Sequence, residues 1–146
     1  LALVLYFGFI GSFLVSWVAS WTATSTSLLL NLLGSSTSVQ GTILSSGSFA
    51  VNVVAECTAV GPLLLFLGDV VAYPSPVGAK SMGILLGIVT ITTINLVRIA
   101  TLFWVGSSYP QYLNTAHLLI WQPAIIVLAI VLWLFWVEKI AHGWKR

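Results

Sequence analysis

Four long apolar runs, nearly free of charged residues, constrain this chain more than any other feature of its sequence. The runs cover residues 1–21, 56–73, 81–106 and 116–137. A helix needs about 20 mostly apolar residues to cross a bilayer, and the 56–73 run, at about 27 Å as a helix, is only just long enough. We therefore predict an all-α polytopic membrane protein, a helical bundle of about four transmembrane helices that forms one domain over residues 1–146.

The scarcity of charge supports this class and excludes several others. Only 5% of the residues are charged and 59% are hydrophobic, whereas a soluble domain carries about 25% charged residues. This composition excludes a cytosolic globular domain, a disordered chain and a nucleic-acid-binding protein, which would need a basic face. The single cysteine excludes internal disulfides, and with two histidines far apart it leaves no metal-ligand cluster. We expect no metal and no other cofactor.

The first connection is long and has an unusual composition. Residues 22–48 are rich in Ser, Thr and Gly, contain no charge and are interrupted by the apolar segment 28–33. Small hydroxylated residues and glycine without charge indicate an ordered outer loop rather than a solvated linker. Within it, residues 28–33 could form a short interfacial helix, and residues 39–54, which alternate weakly, could be extended.

Lysine and arginine in the short connections predict the orientation in the membrane. Lys80 lies between the second and third runs, and Lys139, Lys145 and Arg146 follow the fourth. The connections before the second run and after the third contain neither residue type. With four spans, both basic groups lie on one side, which should be cytoplasmic. Both termini then face the cytoplasm, and the two uncharged connections face outward.

Arg98 is the anomaly of the third run, because it lies about 9 Å from the outer end of an apolar helix. An ionisable residue at such a depth is by default a functional-site hypothesis. The structural alternative is an arginine that extends outward or bonds loop carbonyls to hold helices together. Asn95, three residues earlier, shares a helix face with Arg98, although an asparagine alone is typical of interhelical hydrogen bonding.

Cys57, the only thiol, lies at the outer start of the second run. Pro62 follows five residues later, and proline is tolerated in a first helical turn, so the helix could begin just before it. A cysteine next to a helix N-terminus is favoured as the thiolate, while the adjacent Glu56 opposes that form unless Arg98 offsets it. The alternative is an inert cysteine that packs as a small hydrophobic residue.

His117 opens the fourth run at its outer end, and a lone interfacial histidine is more often structural than catalytic. The predicted topology nevertheless places Cys57, Arg98 and His117 in the same outer third of the bundle, on three different runs. Together they supply the parts for thiol acyl transfer: a nucleophile, a general base and acid, and a cation for the thiolate or the oxyanion.

Three short segments resemble the exosortase/archaeosortase family. They are ECTAV at 56–60, NLVRI at 95–99 and AH at 116–117, which give the order Cys, Arg, His on successive membrane segments. The resemblance covers about residues 51–137. In many members the cysteine is followed by Ser-Gly, where this chain has Thr58 and Ala59.

This resemblance implies a membrane cysteine transpeptidase that cleaves C-terminal sorting signals of exported proteins through a thioester. It implies catalytic roles for Cys57, Arg98 and His117, and supporting or substrate-binding roles for Glu56, Thr58 and Asn95. The implied partners are the sorting signals, the lipid bilayer and a lipid amine as acceptor, with no nucleic acid. The implied location is the prokaryotic cytoplasmic membrane, with the active site toward the outer face.

Two other functions remain open from the residues alone. In a non-enzymatic transporter or assembly subunit, Arg98 and Asn95 would line a polar pathway. In a purely structural bundle, both residues and Cys57 would contribute only to stability. A transporter should tolerate Cys57→Ala, which an enzyme of the predicted kind could not.

Overall fold

The computed structural model describes residues 11–54 and 57–145. The described elements follow one another along the chain as helix α1 (Gly11–Leu32), strands β1 (Ser38–Gln40), β2 (Ile43–Ser46) and β3 (Phe49–Asn52), and helices α2 (Val60–Ala72), α3 (Val77–Ser108) and α4 (Pro110–Ala141). A short helical turn, Gly143–Lys145, follows α4. The chain is therefore mostly helical, as predicted.

Three of these helices are long and apolar enough to cross a membrane: Phe13–Leu32, Val77–Ser108 and Pro110–Ala141. Helix α2 is a shorter apolar helix, which at 1.5 Å per residue extends about 20 Å and falls short of a bilayer core of about 30 Å. The second predicted span is thus shorter than its apolar run, because the helix begins only at Val60. Pro62 lies in its first turn, as the sequence predicted. The chain is a multi-pass membrane protein.

Helix α1 extends further than predicted, through the hydroxylated residues that follow position 21. The hydroxyl of Thr22 donates to the carbonyl oxygen of Val18 at 2.7 Å, and that of Thr26 donates to the carbonyl oxygen of Thr22 at 2.8 Å. Because each hydroxyl is satisfied within the helix, these residues continue it instead of starting a loop. The apolar segment predicted as a separate interfacial helix at 28–33 falls mostly within α1.

The chain divides into two compact units. The first comprises Leu1–Thr58 and Leu96–Leu113, and the second comprises Ala59–Asn95 and Asn114–Arg146. Helix α3 contributes to both, since its residues up to Asn95 belong to the second unit and the remainder belong to the first.

In the first unit, the predicted extended stretch forms a three-stranded antiparallel sheet in the order β1-β2-β3. Its two hairpin loops begin with Gly41 (φ 63°) and Gly47 (φ 59°), the positive φ that a type II′ turn needs at its first central residue. One face of the sheet is apolar and packs against α1 and α3, with Leu44 fully buried and Phe49 edge-on to Phe103 at 5.3 Å between ring centroids. The opposite face is mostly exposed, and its residues are polar except for Ile43 and Ala50.

The second unit is held by close approaches of aromatic rings to glycines of α3. The indole of Trp136 lies against Gly83, and the ring of Phe66 lies against Gly87. Trp136 is fully buried, and its Nε1 donates to the carbonyl oxygen of Ala79 at 2.9 Å. These contacts place a core of buried apolar residues between α2, the first part of α3 and α4.

Candidate active site

Cys57 lies in a turn between β3 and α2, in the first unit. Its backbone N–H donates to the carbonyl oxygen of Val54 at 2.9 Å, and its side chain is half-buried and forms no disulfide. The thiol packs against a small apolar cluster that includes Val53 and Ile99. Since α2 begins at Val60, Cys57 lies just outside a helix N-terminus, where the sequence placed it.

Arg98 belongs to the same unit and lies on the second part of α3. Only 1% of its surface is exposed, and an electrostatic interaction links its guanidinium to the Cys57 thiol. The carbonyl oxygen of Arg98 also accepts a hydrogen bond from the hydroxyl of Thr101 at 2.8 Å. Burying a guanidinium is costly unless nearby groups compensate its charge.

The three residues predicted to support the site lie in different parts of the chain. Thr58 is buried next to Cys57 in the first unit, with 3% of its surface exposed. Asn95 is buried on α3 and belongs to the second unit. Glu56 lies outside the described residues. The sequence analysis did not identify Thr101, whose hydroxyl bonds the carbonyl oxygen of Arg98. A helical threonine commonly bonds a backbone carbonyl three or four residues earlier, so the spacing of Thr101 from Arg98 could have indicated this bond.

His117 belongs to the second unit, where it is half-buried on α4. It lies in a π-helical segment, Ala116–Trp121, in which the backbone N–H of Gln122 donates to the carbonyl oxygen of His117. Pro123 follows directly and has no N–H to donate, and its ring would clash with the carbonyl four residues earlier in a regular α-helix. The wider turn relieves this conflict, and such segments are frequent at functional sites.

The structure thus brings Cys57 and Arg98 together within the first unit and places His117 and Asn95 in the second. A half-buried thiol and a buried guanidinium in one unit are two of the groups that thiol acyl transfer uses. Among the residues that the structure describes, no three His, Cys, Asp or Glu side chains lie close enough together to hold a metal ion.

Comparison with known proteins bears on the whole chain. The family model of the transmembrane exosortases (Exosortase_EpsH) matches residues 1–137. No curated protein and no solved structure matches the chain. The match extends beyond the segments around Cys57, Arg98 and His117 to include the long first connection and its strands. The chain therefore belongs to the transmembrane exosortase family.

Proposed function

We propose that this chain is a membrane cysteine transpeptidase that cleaves C-terminal sorting signals of exported proteins. Membership of the transmembrane exosortases supports a transpeptidase-type function in general. The observation that carries the finer proposal is the electrostatic link between the half-buried Cys57 thiol and the almost fully buried Arg98 guanidinium. A structural arginine would need partners of some kind, but it would not need a thiol among them.

In the first step, the Cys57 thiolate attacks the scissile carbonyl carbon, and the carbonyl electrons move to the oxygen to form a tetrahedral oxyanion. Arg98 stabilises negative charge, first on the thiolate and then on this oxyanion. When the oxyanion collapses, the bond from carbon to the leaving amine breaks. His117, which has taken the thiol proton, donates it to that amine. The product on the enzyme is a thioester at Cys57.

In the second step, an amine or water attacks the thioester carbonyl, and the Cys57 thiolate leaves. His117 accepts the proton of the attacking group and returns it to the thiolate, which restores the starting state. The acceptor we propose is an amine at the membrane surface, such as that of a lipid headgroup. Thr58 and Asn95 would support the site, and Glu56 would bind substrate or pair with Arg98.

We propose that the site opens to the outer face of a prokaryotic cytoplasmic membrane. The distribution of lysine and arginine supports this orientation for a chain that crosses the membrane at α2 as well as at the three longer helices, since Lys80, at the start of α3, and Lys139, at the end of α4, then lie on the cytoplasmic side. Residues 22–57, the connection that leads to Cys57, contain no lysine or arginine.

The test combines substrate processing with thiol labelling in intact cells. Cys57→Ala should abolish processing of a co-expressed reporter that carries a C-terminal sorting signal, while Met82→Ala, at an exposed position of α3, should leave processing unchanged. Because Cys57 is the only cysteine, a membrane-impermeant maleimide reports on it alone. We expect labelling in intact cells.

In Arg98→Ala we expect labelling to slow, because the variant lacks the cation that would stabilise negative charge on the sulfur. Processing that persists in Cys57→Ala would contradict the mechanism. Labelling only after the membrane is permeabilised would contradict the outward orientation, and an unchanged rate in Arg98→Ala would contradict the role of the guanidinium.

A further inference from the structure

The outer side of β3 is an open sheet edge whose backbone groups can be assigned. The N–H of Val53 donates to the carbonyl oxygen of Thr42 at 2.8 Å, so Val53 is paired toward β2. In an antiparallel ladder, residues that bond the neighbouring strand alternate with residues whose N–H and C=O point away from it. Val51 is therefore also paired toward β2, and Ala50 and Asn52 present their N–H and C=O groups on the open side.

This edge is short, but it lacks four of the features that natural proteins use to prevent strand addition: lysine, proline, inward charges and bulges. Residues 22–54 contain no Lys, Arg, Asp, Glu or Pro, and β3 pairs with β2 in an unbroken register. Ala50 and Asn52 are exposed. The edge is therefore competent to bind another extended strand.

The edge leads directly to the candidate nucleophile within the same unit. Asn52 and Cys57 are five positions apart along the chain, which span about 18 Å at most. The true separation is shorter, because the Cys57 N–H closes a turn onto Val54 and its side chain packs in the same cluster as Val53. An extended peptide of about five residues, at about 3.3 Å per residue, covers this span.

We propose that an extended segment of the substrate protein adds to the open edge of β3 as a fourth strand, which presents its scissile carbonyl to Cys57. The proposal rests on the proposed role of Cys57 as nucleophile. Hydrogen bonds from the backbone of Ala50 and Asn52 provide affinity that does not depend on the substrate sequence.

Side chains of the added strand provide specificity, because they alternate between the two faces of the sheet. On one face their neighbours are Phe49 and Val51, which are half-buried and apolar, and on the other they are the exposed Ala50 and Asn52. The edge therefore selects a peptide whose apolar residues recur at every second position. It accepts small or polar residues between them.

The test measures how fast peptide chloromethyl ketones alkylate Cys57 in the purified, detergent-solubilised protein. In this reaction the thiolate displaces chloride and forms a thioether. One probe is a six-residue peptide that alternates Val and Ser, and the other is acetyl-serine chloromethyl ketone with the same reactive end. We expect the long probe to react about tenfold faster, as two or more added backbone hydrogen bonds would give.

Ala50→Pro removes one outward N–H, and proline is tolerated on an edge strand where the N–H faces solvent. We expect it to remove most of the advantage of the long probe while the short probe reacts as in the wild type. Ala50→Ser, which keeps the N–H, is the matched control and should keep the advantage. N-methylation of successive probe residues, tested on the wild-type protein, should slow the reaction at every second position only.

The outcomes separate this proposal from the proposed function. Three results would each overturn the strand-addition proposal and leave Cys57 as nucleophile. The two probes could alkylate the wild type at equal rates, or the long probe could keep its advantage in Ala50→Pro. The third is that N-methylation slows the reaction at positions that do not alternate along the probe. Failure of both probes to alkylate Cys57 would overturn the nucleophile itself. The N-methyl series needs no protein variant, so it decides the question even where Ala50→Pro does not fold.

Discussion

Replacing Gly83 with alanine tests the packing of the second unit most directly. A Cβ at this position would lie 2.5 Å from Nε1 and 2.8 Å from Cε2 of the Trp136 indole, whereas carbon atoms in contact are about 3.5–4.0 Å apart. The indole would have to move by about 1 Å. It is fully buried, donates to the Ala79 carbonyl and packs edge-on against Tyr73 at 5.7 Å between ring centroids. It therefore has little room to move.

The expected cost follows from three contributions. Overpacking of a filled core costs about 1–3 kcal/mol. Displacing the indole breaks the hydrogen bond to Ala79, worth about 0.5–1.5 kcal/mol. Against these costs, the higher helix propensity of alanine stabilises the folded state by about 1 kcal/mol relative to glycine. Gly83→Ala should therefore lower the free energy of unfolding by about 2 kcal/mol.

The measurement is equilibrium unfolding in mixed micelles, followed by the loss of helical circular dichroism. Gly68→Ala is the matched control, because nothing lies within 4 Å of a Cβ at that position of α2, and it should be neutral or stabilise by up to about 1 kcal/mol. In a Trp136→Leu background, Gly83→Ala should cost little, since the clashing ring is gone. A Gly83→Ala protein as stable as Gly68→Ala, or an equal cost in both backgrounds, would refute this reasoning.

Two further substitutions test the helix ends and the π-helical segment. Pro123→Ala restores an N–H and should let the segment that contains His117 relax to a regular α-helix, which changes the direction of that side chain. We expect processing of the reporter to fall by about tenfold or more while thermal stability is kept or raised; unchanged processing would count against the role of His117. Lys80→Met removes the bond from Nζ to the Val71 carbonyl oxygen, 2.6 Å long, at the end of α2. It should cost about 0.5–1 kcal/mol of unfolding free energy, with Lys80→Arg closer to wild type in the same assay.

Much of the fold follows from the sequence, because membrane helices are determined by length and composition. The start of α2 follows from Pro62, and the strands follow from the weak alternation and the two glycines that begin their turns. The end of α1 was not predictable from composition. Its Thr and Ser residues are typical of loops, and whether a hydroxyl bonds its own helix, as that of Thr26 does, or bonds a loop depends on the surrounding packing.

The candidate site also has features that the sequence predicts and features that only the structure shows. Sequence identifies Arg98 because a guanidinium within an apolar helix needs an explanation, and it identifies Cys57 because the chain has no other thiol. It cannot show that the two lie near each other, since they are forty-one positions apart along the chain. The structure places both in the first unit, where Cys57 packs against a cluster that includes Ile99, the residue after Arg98.

Burial of the Arg98 guanidinium strengthens its electrostatic interaction with Cys57. A guanidinium in water would be screened and would affect a thiol little, whereas one with 1% of its surface exposed acts in a medium of low effective dielectric constant. The same burial means that Arg98→Ala leaves a cavity and removes the partner of the groups around the guanidinium, so the stability of the variant has to be measured together with its thiol reactivity. A loss of thiol reactivity in a protein that remains folded is therefore the signature that separates an arginine kept for chemistry from one kept for structure.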